Sequence, residues 1–328
     1  MKSNKSYDRS PPKLKPVLGC LLAWYSQYMR NLPWRNTRDP YAILISEVML
    51  QQTQVSRVCI KFNTFLRDFP SIQSLAKTSR SAVIRAWQGL GYNIRAIRLH
   101  QAAQVLVSKY NSRVPNLPSE LILLPGIGHY SAAASACLAF GEHMAVVDTN
   151  IKRVLGRVFF GLATASDRQI NTTATNLVEA LPQGHASSWN QALMDLGALV
   201  CKSRIPLCVS CPLQNHCIAA PHFQRNTRST GEFLLNGSPK QTARQASYLG
   251  SSRYYRGRII QVLRELPEGS TVSLVTLGEA LRGDFTSGLL TWLYGVVVKL
   301  HREGLLSCYP ESISLDLKSL TVVQIKLP

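Results

Sequence analysis

The sequence predicts a mostly α-helical protein that ends in a small, separate α+β unit. Three observations carry this. Apolar residues recur at helical spacing from Trp34 to about Phe159, broken by Pro, Gly and Asn. Four of the eight cysteines fall between positions 201 and 217. Beyond Cys217 the composition turns polar, and a second apolar segment begins near Arg253.

Asp39-Pro40 reads as an N-cap followed by proline in the first turn, and starts a helix that runs through Met49. Further helices are expected over 55–69, 81–88, 94–110 and 131–140, and another over 188–200 leads into the cysteines. Residues 222–245 are rich in Arg, Asn, Thr, Ser and Gly and read as a linker. After it come a helix (256–265), a short strand (271–273), a helix (275–281), a longer helix (289–302), Gly304 and two strands ending near Leu327. That is the element order of a winged-helix domain. No repeat of 20–50 residues is evident.

The chain of 328 residues is long enough for two or three domains, and 45% hydrophobic content makes it globular. Lys and Arg number 37 against 18 Asp and Glu, a formal charge of +19. Such a surplus implies a polyanionic partner. No apolar run approaches the roughly 20 residues that span a bilayer, so nucleic acid is preferred to a membrane. Residues 1–15 are polar and basic, without the apolar stretch of a signal peptide. The expected compartment is the reducing cytoplasm, where clustered cysteines point to metal rather than disulfides.

Cys201, Cys208, Cys211 and Cys217 are spaced C-x6-C-x2-C-x5-C. Structural zinc sites usually pair two tight knuckles, and only one is present; iron–sulfur clusters accept more open spacings. Spacing alone leaves both open. Lys202, Arg204 and His216 add positive charge around the sulfurs.

The run Leu-Pro-Gly-Ile-Gly-His-Tyr-Ser-Ala-Ala-Ala over 124–134 reads as a helix–hairpin–helix. Gly126 and Gly128 permit a tight turn, and backbone N–H groups at the next helix, beside His129, suit a DNA phosphate. Two carboxylates have opposite surroundings. Glu47 sits among Ile43, Leu44 and Leu50 in an apolar helix, where poor solvation should keep its proton near neutral pH. Asp148 stands just before a helix with Lys152 and Arg153 one turn on; helix-terminal N–H groups and positive charge should keep it ionised. One neutral and one charged carboxyl is what glycosidic cleavage requires.

These segments together resemble the helix–hairpin–helix–GPD superfamily, and within it the MutY-type adenine DNA glycosylases. The resemblance rests on Leu-Pro-Trp-Arg (32–35), Ser-Glu-Val-Met-Leu-Gln-Gln-Thr-Gln (46–54), Trp-Gln-Gly-Leu-Gly-Tyr (87–92), the hairpin, Asp-Thr-Asn-Ile-Lys-Arg (148–153), Asn-Gln-Ala-Leu-Met-Asp-Leu-Gly (190–197) and the four cysteines. The endonuclease III branch lacks the Gln-Gln pair. The resemblance implies a six-helix barrel with its hairpin (34–140) and an iron–sulfur subdomain (1–33 and 141–221); composition and element order add a linker (222–245) and a winged-helix-like C-terminal domain (246–328). It implies a [4Fe–4S] cluster on the four cysteines. It assigns Glu47 to protonate adenine N7 and Asp148 to stabilise, or transiently bond, the sugar cation, with Tyr130 and Asn150 assisting. Gln52 and Tyr92 match residues that wedge into the base stack. Bifunctional relatives carry a Schiff-base lysine where this chain has Tyr130, so a monofunctional enzyme is expected. The expected partner is duplex DNA holding a mismatch or an oxidised base, bound by a monomer without a membrane.

Two departures stand out. The family usually has Asp-Gly-Asn where this chain has Asp148-Thr149-Asn150, so the backbone there should avoid positive φ. No Nudix-like domain or its usual Ser-bearing motif is evident in this sequence; the C-terminal unit could take its place as a duplex clamp, with Arg253, Arg256, Arg258 and Lys299 on phosphates. Two other readings stay open: a thymine or uracil mismatch glycosylase, and a non-catalytic iron–sulfur DNA-binding protein.

Overall fold

The computed structural model describes residues 13–226, 248–310 and 315–328. In chain order the helices are α1 (Leu14–Tyr28), α2 (Pro40–Leu50), α3 (Val55–Asp68), α4 (Ile72–Lys77), α5 (Arg80–Ala86), α6 (Ile94–Lys109), α7 (Pro118–Leu121), α8 (His129–Phe140), α9 (Thr149–Leu155), α10 (Asp167–Glu179), α11 (Ala186–Leu199) and α12 (Ala220–Asn226). The C-terminal part adds α13 (Ser252–Glu265), β1 (Val272–Ser273), α14 (Leu274–Leu281), α15 (Leu290–Arg302), β2 (Ser307–Tyr309), α16 (Leu317–Thr321) and β3 (Gln324–Lys326). No helix among the described residues is long and apolar enough to cross a membrane.

Local chemistry sets the boundaries. Asp39 accepts the Tyr41 N–H at 3.0 Å and caps α2, as the Asp-Pro pair predicts. Capping boxes start α4 (Ser71 with Ser74) and α10 (Ser166 with Gln169). Gly141, at φ +76°, ends α8 in the left-handed conformation. Two expectations need correction. The segment read as a linker from His222 is still helical as far as Asn226; its remainder, 227–245, lies outside the described residues. A short helix, α16, stands between the last two strands, started by the Asp316 side chain on the Ser319 N–H.

The chain divides into two compact units. The first comprises Met1–Ile43, Asn116–Ile122 and Gly128–Lys240. Its core gathers Leu21 of α1, Ala134 of α8, Ile151 of α9, Leu177 of α10 and Trp189 of α11. Asp195, fully buried on α11, is held by Arg35 (2.7 Å) and Arg30 (2.6 Å). This ion pair ties the Leu-Pro-Trp-Arg segment to the 190–197 segment.

The second unit comprises Leu44–Pro115, Leu123–Ile127 and Gln241–Pro328. Phe65 and Trp87 meet edge to face inside it. Its C-terminal part is a helix–strand–helix–helix–strand–helix–strand arrangement with an antiparallel sheet of order β1-β3-β2. This part is not hung loosely on the chain. Ile84 of α5 and Ile97 of α6 join the core built from Ile259, Leu277, Leu293 and Ile325. Arg85 donates to the Arg264 and Leu266 carbonyls, Arg264 donates to the Ile84 carbonyl, and the Ser81 N–H donates to the Pro328 carbonyl.

Burial by itself would raise the Asp195 carboxyl, but hydrogen bonds from Arg35 and the Arg30 N–H outweigh it and hold the pKa below the usual value. The resulting stabilisation is complete above the unfolded carboxylate value, about pH 4. It is lost as the pH falls through the lower folded value. Asp195→Asn should therefore cost about 3 kcal/mol at neutral pH by leaving two arginines unpaired. It should also flatten the acid limb of the stability curve; urea unfolding at several pH values measures both, and an unchanged acid limb contradicts the assignment.

Candidate active site and cysteine loop

In the second unit, Glu47 lies on the C-terminal half of α2 and is 4% exposed. Leu44, Val48 and Met49 around it are buried as well, so the apolar setting read from the sequence is present. The end of α2 and the loop after α5 are gripped by Arg95 of α6, a residue the sequence reading passed over. Its guanidinium donates to the carbonyls of Val48 (2.7 Å), Met49 (2.8 Å), Leu90 (3.1 Å) and Gly91 (3.0 Å), and to the Thr53 hydroxyl (2.8 Å). It is 6% exposed, and burial lowers its pKa to about 10. An arginine on the buried face of an apolar helix was the signal available in the sequence.

Gln52 and Tyr92 both have positive φ, +54° and +44°, which side chains adopt at a cost. Both are exposed, Tyr92 by 45%. The Tyr92 hydroxyl accepts from Arg253, and Asn93 next to it accepts from Arg264. The hairpin turn is tied to the end of α2 by Gln51, whose amide donates to the Gly126 carbonyl at 3.1 Å. Gly126 has φ +82°, and an added Cβ would lie 2.8 Å from the Arg98 Cβ, so glycine is required there twice over. Gly128 differs from expectation: it caps α8 at an ordinary φ of −97° and an added Cβ would meet open space. Its use is a bare, exposed N-cap beside the exposed His129.

In the first unit, Asp148 is the N-cap of α9. One carboxylate oxygen accepts the Ile151 N–H at 2.6 Å and the other accepts the Asn150 amide at 2.8 Å. The cationic neighbours predicted for it are engaged elsewhere: Lys152 pairs with Asp167, and Arg153 turns to Asn150. The polar support of this carboxylate is therefore a helix N–H and an amide. Arg153 donates to the Asn150 carbonyl oxygen and to the backbone carbonyls of Gly197 and Cys201, each at 2.8 Å. A Cβ on Gly197 would lie 2.7 Å from the Asn150 Cβ, so only glycine admits Asn150. Thr149 begins α9 in helical conformation and so avoids positive φ, as expected. Asn190, fully buried, holds the approach to Asp148 by accepting the Val146 N–H and donating to the Met144 carbonyl. Tyr130 is half-buried against the core of this unit.

Cys201, Cys208, Cys211 and Cys217 line one recess with Val154, Leu196, Val200, Leu207 and Phe223. Burial pushes the Cys211 thiol up to about 12 and the Cys217 thiol up to about 11, and the neighbouring sulfurs push in the same direction. Among the described residues no three His, Cys, Asp or Glu side chains are drawn together as a set for a single metal ion. Lys202 and Arg204 are exposed. The guanidinium at the sulfurs belongs instead to Arg157, missed in the sequence. It donates to the Cys201 sulfur (3.5 Å) and to the Lys202 and Ser203 carbonyls, and it stacks on Phe223.

Comparison with known proteins places these features. Residues 45–180 match the model of the HhH-GPD superfamily base excision DNA repair proteins. The chain is 39% identical over 246 residues to the adenine DNA glycosylase of Mycobacterium tuberculosis, covering 74% of this chain and 77% of that one. It is 40% identical over 248 residues to the adenine DNA glycosylase of Mycolicibacterium smegmatis, covering 75% and 79%. A solved thermostable thymine-DNA glycosylase superposes with a TM-score of 0.59 at 32% identity, over 64% of this chain and 97% of that one. The chain thus belongs to the HhH-GPD superfamily of base excision DNA repair proteins, in its MutY-type adenine DNA glycosylase branch.

Proposed function

We propose that this chain removes adenine mispaired with 8-oxoguanine or guanine from duplex DNA, by hydrolysis of the N-glycosidic bond without cutting the strand. The observation that carries this reading is the likeness to adenine DNA glycosylases over three quarters of the chain. Its working parts are the barrel (34–140), the cysteine subdomain (1–33 and 141–221) and a winged-helix-like domain (246–328). The protein would act as a monomer on cytoplasmic, nucleoid DNA.

Each residue has a physical role in that reaction. Glu47, buried in the apolar end of α2, delivers its proton to adenine N7 and turns the base into a neutral leaving group. Asp148, held as an acceptor by the Ile151 N–H and the Asn150 amide, faces the cationic sugar. Asn150 also orients water, and Tyr130 supplies a hydroxyl where an amine would form a Schiff base. Gln52 and Tyr92, presented on left-handed backbone, fill the space the adenine leaves. Gly126, Gly128 and His129 offer backbone and side-chain donors to phosphate. Of the basic residues proposed as phosphate contacts in the C-terminal domain, Arg256 pairs with Glu303 and Arg253 with Tyr92; Lys299 is exposed and Arg258 donates to Gln261.

The four cysteines around one recess suit a [4Fe–4S] cluster: four sulfur donors and apolar walls. When bound, the cluster would cross-link the 201–217 loop through four thiolate bonds. Cys211→Ser should lower the iron and sulfide content, about four of each per chain in the intact protein, and weaken the brown visible absorption; full retention of both overturns the assignment.

A specific observation keeps a second substrate in view, since the superposed structure is a thymine-DNA glycosylase. Duplexes holding A:8-oxoG, A:G, T:G or U:G, treated with alkali after incubation, separate the readings. Breakage is expected at the two adenine mismatches and only after alkali. Glu47→Gln should keep DNA binding and lose breakage; a variant that still cleaves at the native rate removes Glu47 from the reaction.

Gly197→Ala tests the packing behind Asp148. The added methyl must displace Asn150. A shift approaching 1 Å should lower the single-turnover rate by about 100-fold. Far-UV circular dichroism should stay unchanged, and an unaltered rate would show that Asn150 needs no such placement.

A further inference from the structure

The exposed Tyr92 is held from two directions, and one of them is the C-terminal domain. From inside the second unit, Arg95 fixes the Leu90 and Gly91 carbonyls. From the C-terminal domain, α13 places two arginines on the same loop. Arg253 donates to the Tyr92 hydroxyl at 3.2 Å, and Arg264 donates to the Asn93 side-chain oxygen at 2.9 Å. Arg264 is itself anchored by its bond to the Ile84 carbonyl, and α13 is fixed by the core shared with Ile84 and Ile97. The loop needs such support. Gly89, Gly91 and Tyr92 all have positive φ, at +92°, +70° and +44°, and for Tyr92 that conformation is costly.

We infer that α13 of the C-terminal domain is a positioning element for the Tyr92 loop, with Arg253 and Arg264 as its two contacts. The domain then serves base extrusion directly, by keeping the phenol in the orientation in which it enters the stack, in addition to any grip on phosphates. This rests on the proposed wedge role of Tyr92. Arg253 acts through Tyr92 and not on the reacting atoms, so it is a positioning residue. The alternative role for Arg253, a phosphate contact, makes a different prediction. Loss of a phosphate contact lowers the slope of log K against log salt by about 0.9, whatever the state of Tyr92.

The experiment uses the full chain with Arg253→Gln, Asn93→Ala, Tyr92→Phe, the pair Arg253→Gln/Tyr92→Phe, and Tyr92→Ala. Base extrusion is read from 2-aminopurine placed 5′ to the target adenine. Single-turnover rates are measured on A:8-oxoG duplex and on a duplex whose target adenine faces an abasic site, where less stacking and no pairing must be broken. Arg253→Gln and Asn93→Ala should each slow extrusion and cleavage about tenfold on the paired duplex, and less than threefold opposite the abasic site. Arg253→Gln and Tyr92→Phe should be non-additive, the double variant no slower than the worse single one, with the salt slope unchanged. Equal losses on both substrates, multiplying effects in the double variant, or a lowered salt slope for Arg253→Gln would each overturn the inference. Tyr92→Ala separates the two levels. If it extrudes normally, the wedge reading itself fails; if it is defective while Arg253→Gln and Asn93→Ala are normal, only the role of α13 fails.

Discussion

The Asp148 carboxylate depends on a packing constraint set outside its own helix: α11 must come close enough to α9 for Gly197 to touch Asn150. Gly197 makes that approach, leaving no room for even a methyl group beside Asn150. Arg153 then closes the arrangement, with one guanidinium on the Asn150 side chain and on the Gly197 and Cys201 carbonyls. Asn150 cannot rotate without losing either that bond or its bond to Asp148. The carboxylate is thereby fixed by neutral dipoles. In the proposed mechanism this matters, because a carboxylate neutralised by an adjacent lysine or arginine would stabilise a sugar cation less.

The other unit solves a different problem. The loop carrying Tyr92 sits on left-handed backbone, and Gln52 does the same at the end of α2. Each such non-glycine residue costs on the order of 1 kcal/mol or more, so neither turn persists unless its surroundings over-determine it. Arg95 supplies that on the inner side of both. It binds the last carbonyls of α2 and the carbonyls before Tyr92 with one rigid fork. A lysine could not span five acceptors in two segments, since its three donors diverge from one point.

Much of this was legible in the sequence, and the failures have physical causes. Helices α2, α3, α5, α6, α8 and α11 were readable to within about two residues because apolar periodicity and capping chemistry agree there. The buried setting of Glu47 was legible because a charged residue in an apolar helix is anomalous on its face, and the capping place of Asp148 because a carboxylate before a helix has an evident partner. The helix N–H on Asp148 was legible, but its cationic neighbours were misjudged, since sequence proximity of Lys152 and Arg153 says nothing about where long side chains turn. Lys152 reaches Asp167 on another helix, a contact between residues 15 positions apart. Gly128 was credited with a strained turn that Gly126 alone makes, because two glycines spaced by one residue do not reveal which carries the positive φ. The roles of Arg157 and Gly197 were not legible, because they lie in backbone carbonyls and a close approach supplied by distant segments.

The positive charge of the chain takes on a second meaning in this light. A formal +19 was read as the mark of a polyanionic partner. Yet Arg85, Arg95, Arg153, Arg157 and Arg264 all spend donors on backbone carbonyls, and none of the five is in an ion pair among the described residues. Carbonyl partners satisfy the N–H groups and leave the charge itself uncompensated. For Arg95 and Arg264, burial lowers the pKa to about 10 in each case, which still leaves both charged at neutral pH. Five of the excess charges therefore arise from the way this fold pins its loops and would be present without any DNA contact. They add to the long-range potential that attracts a polyanion, while the short-range phosphate contacts must come from other residues. Net charge in this chain is a consequence of architecture as well as of the ligand.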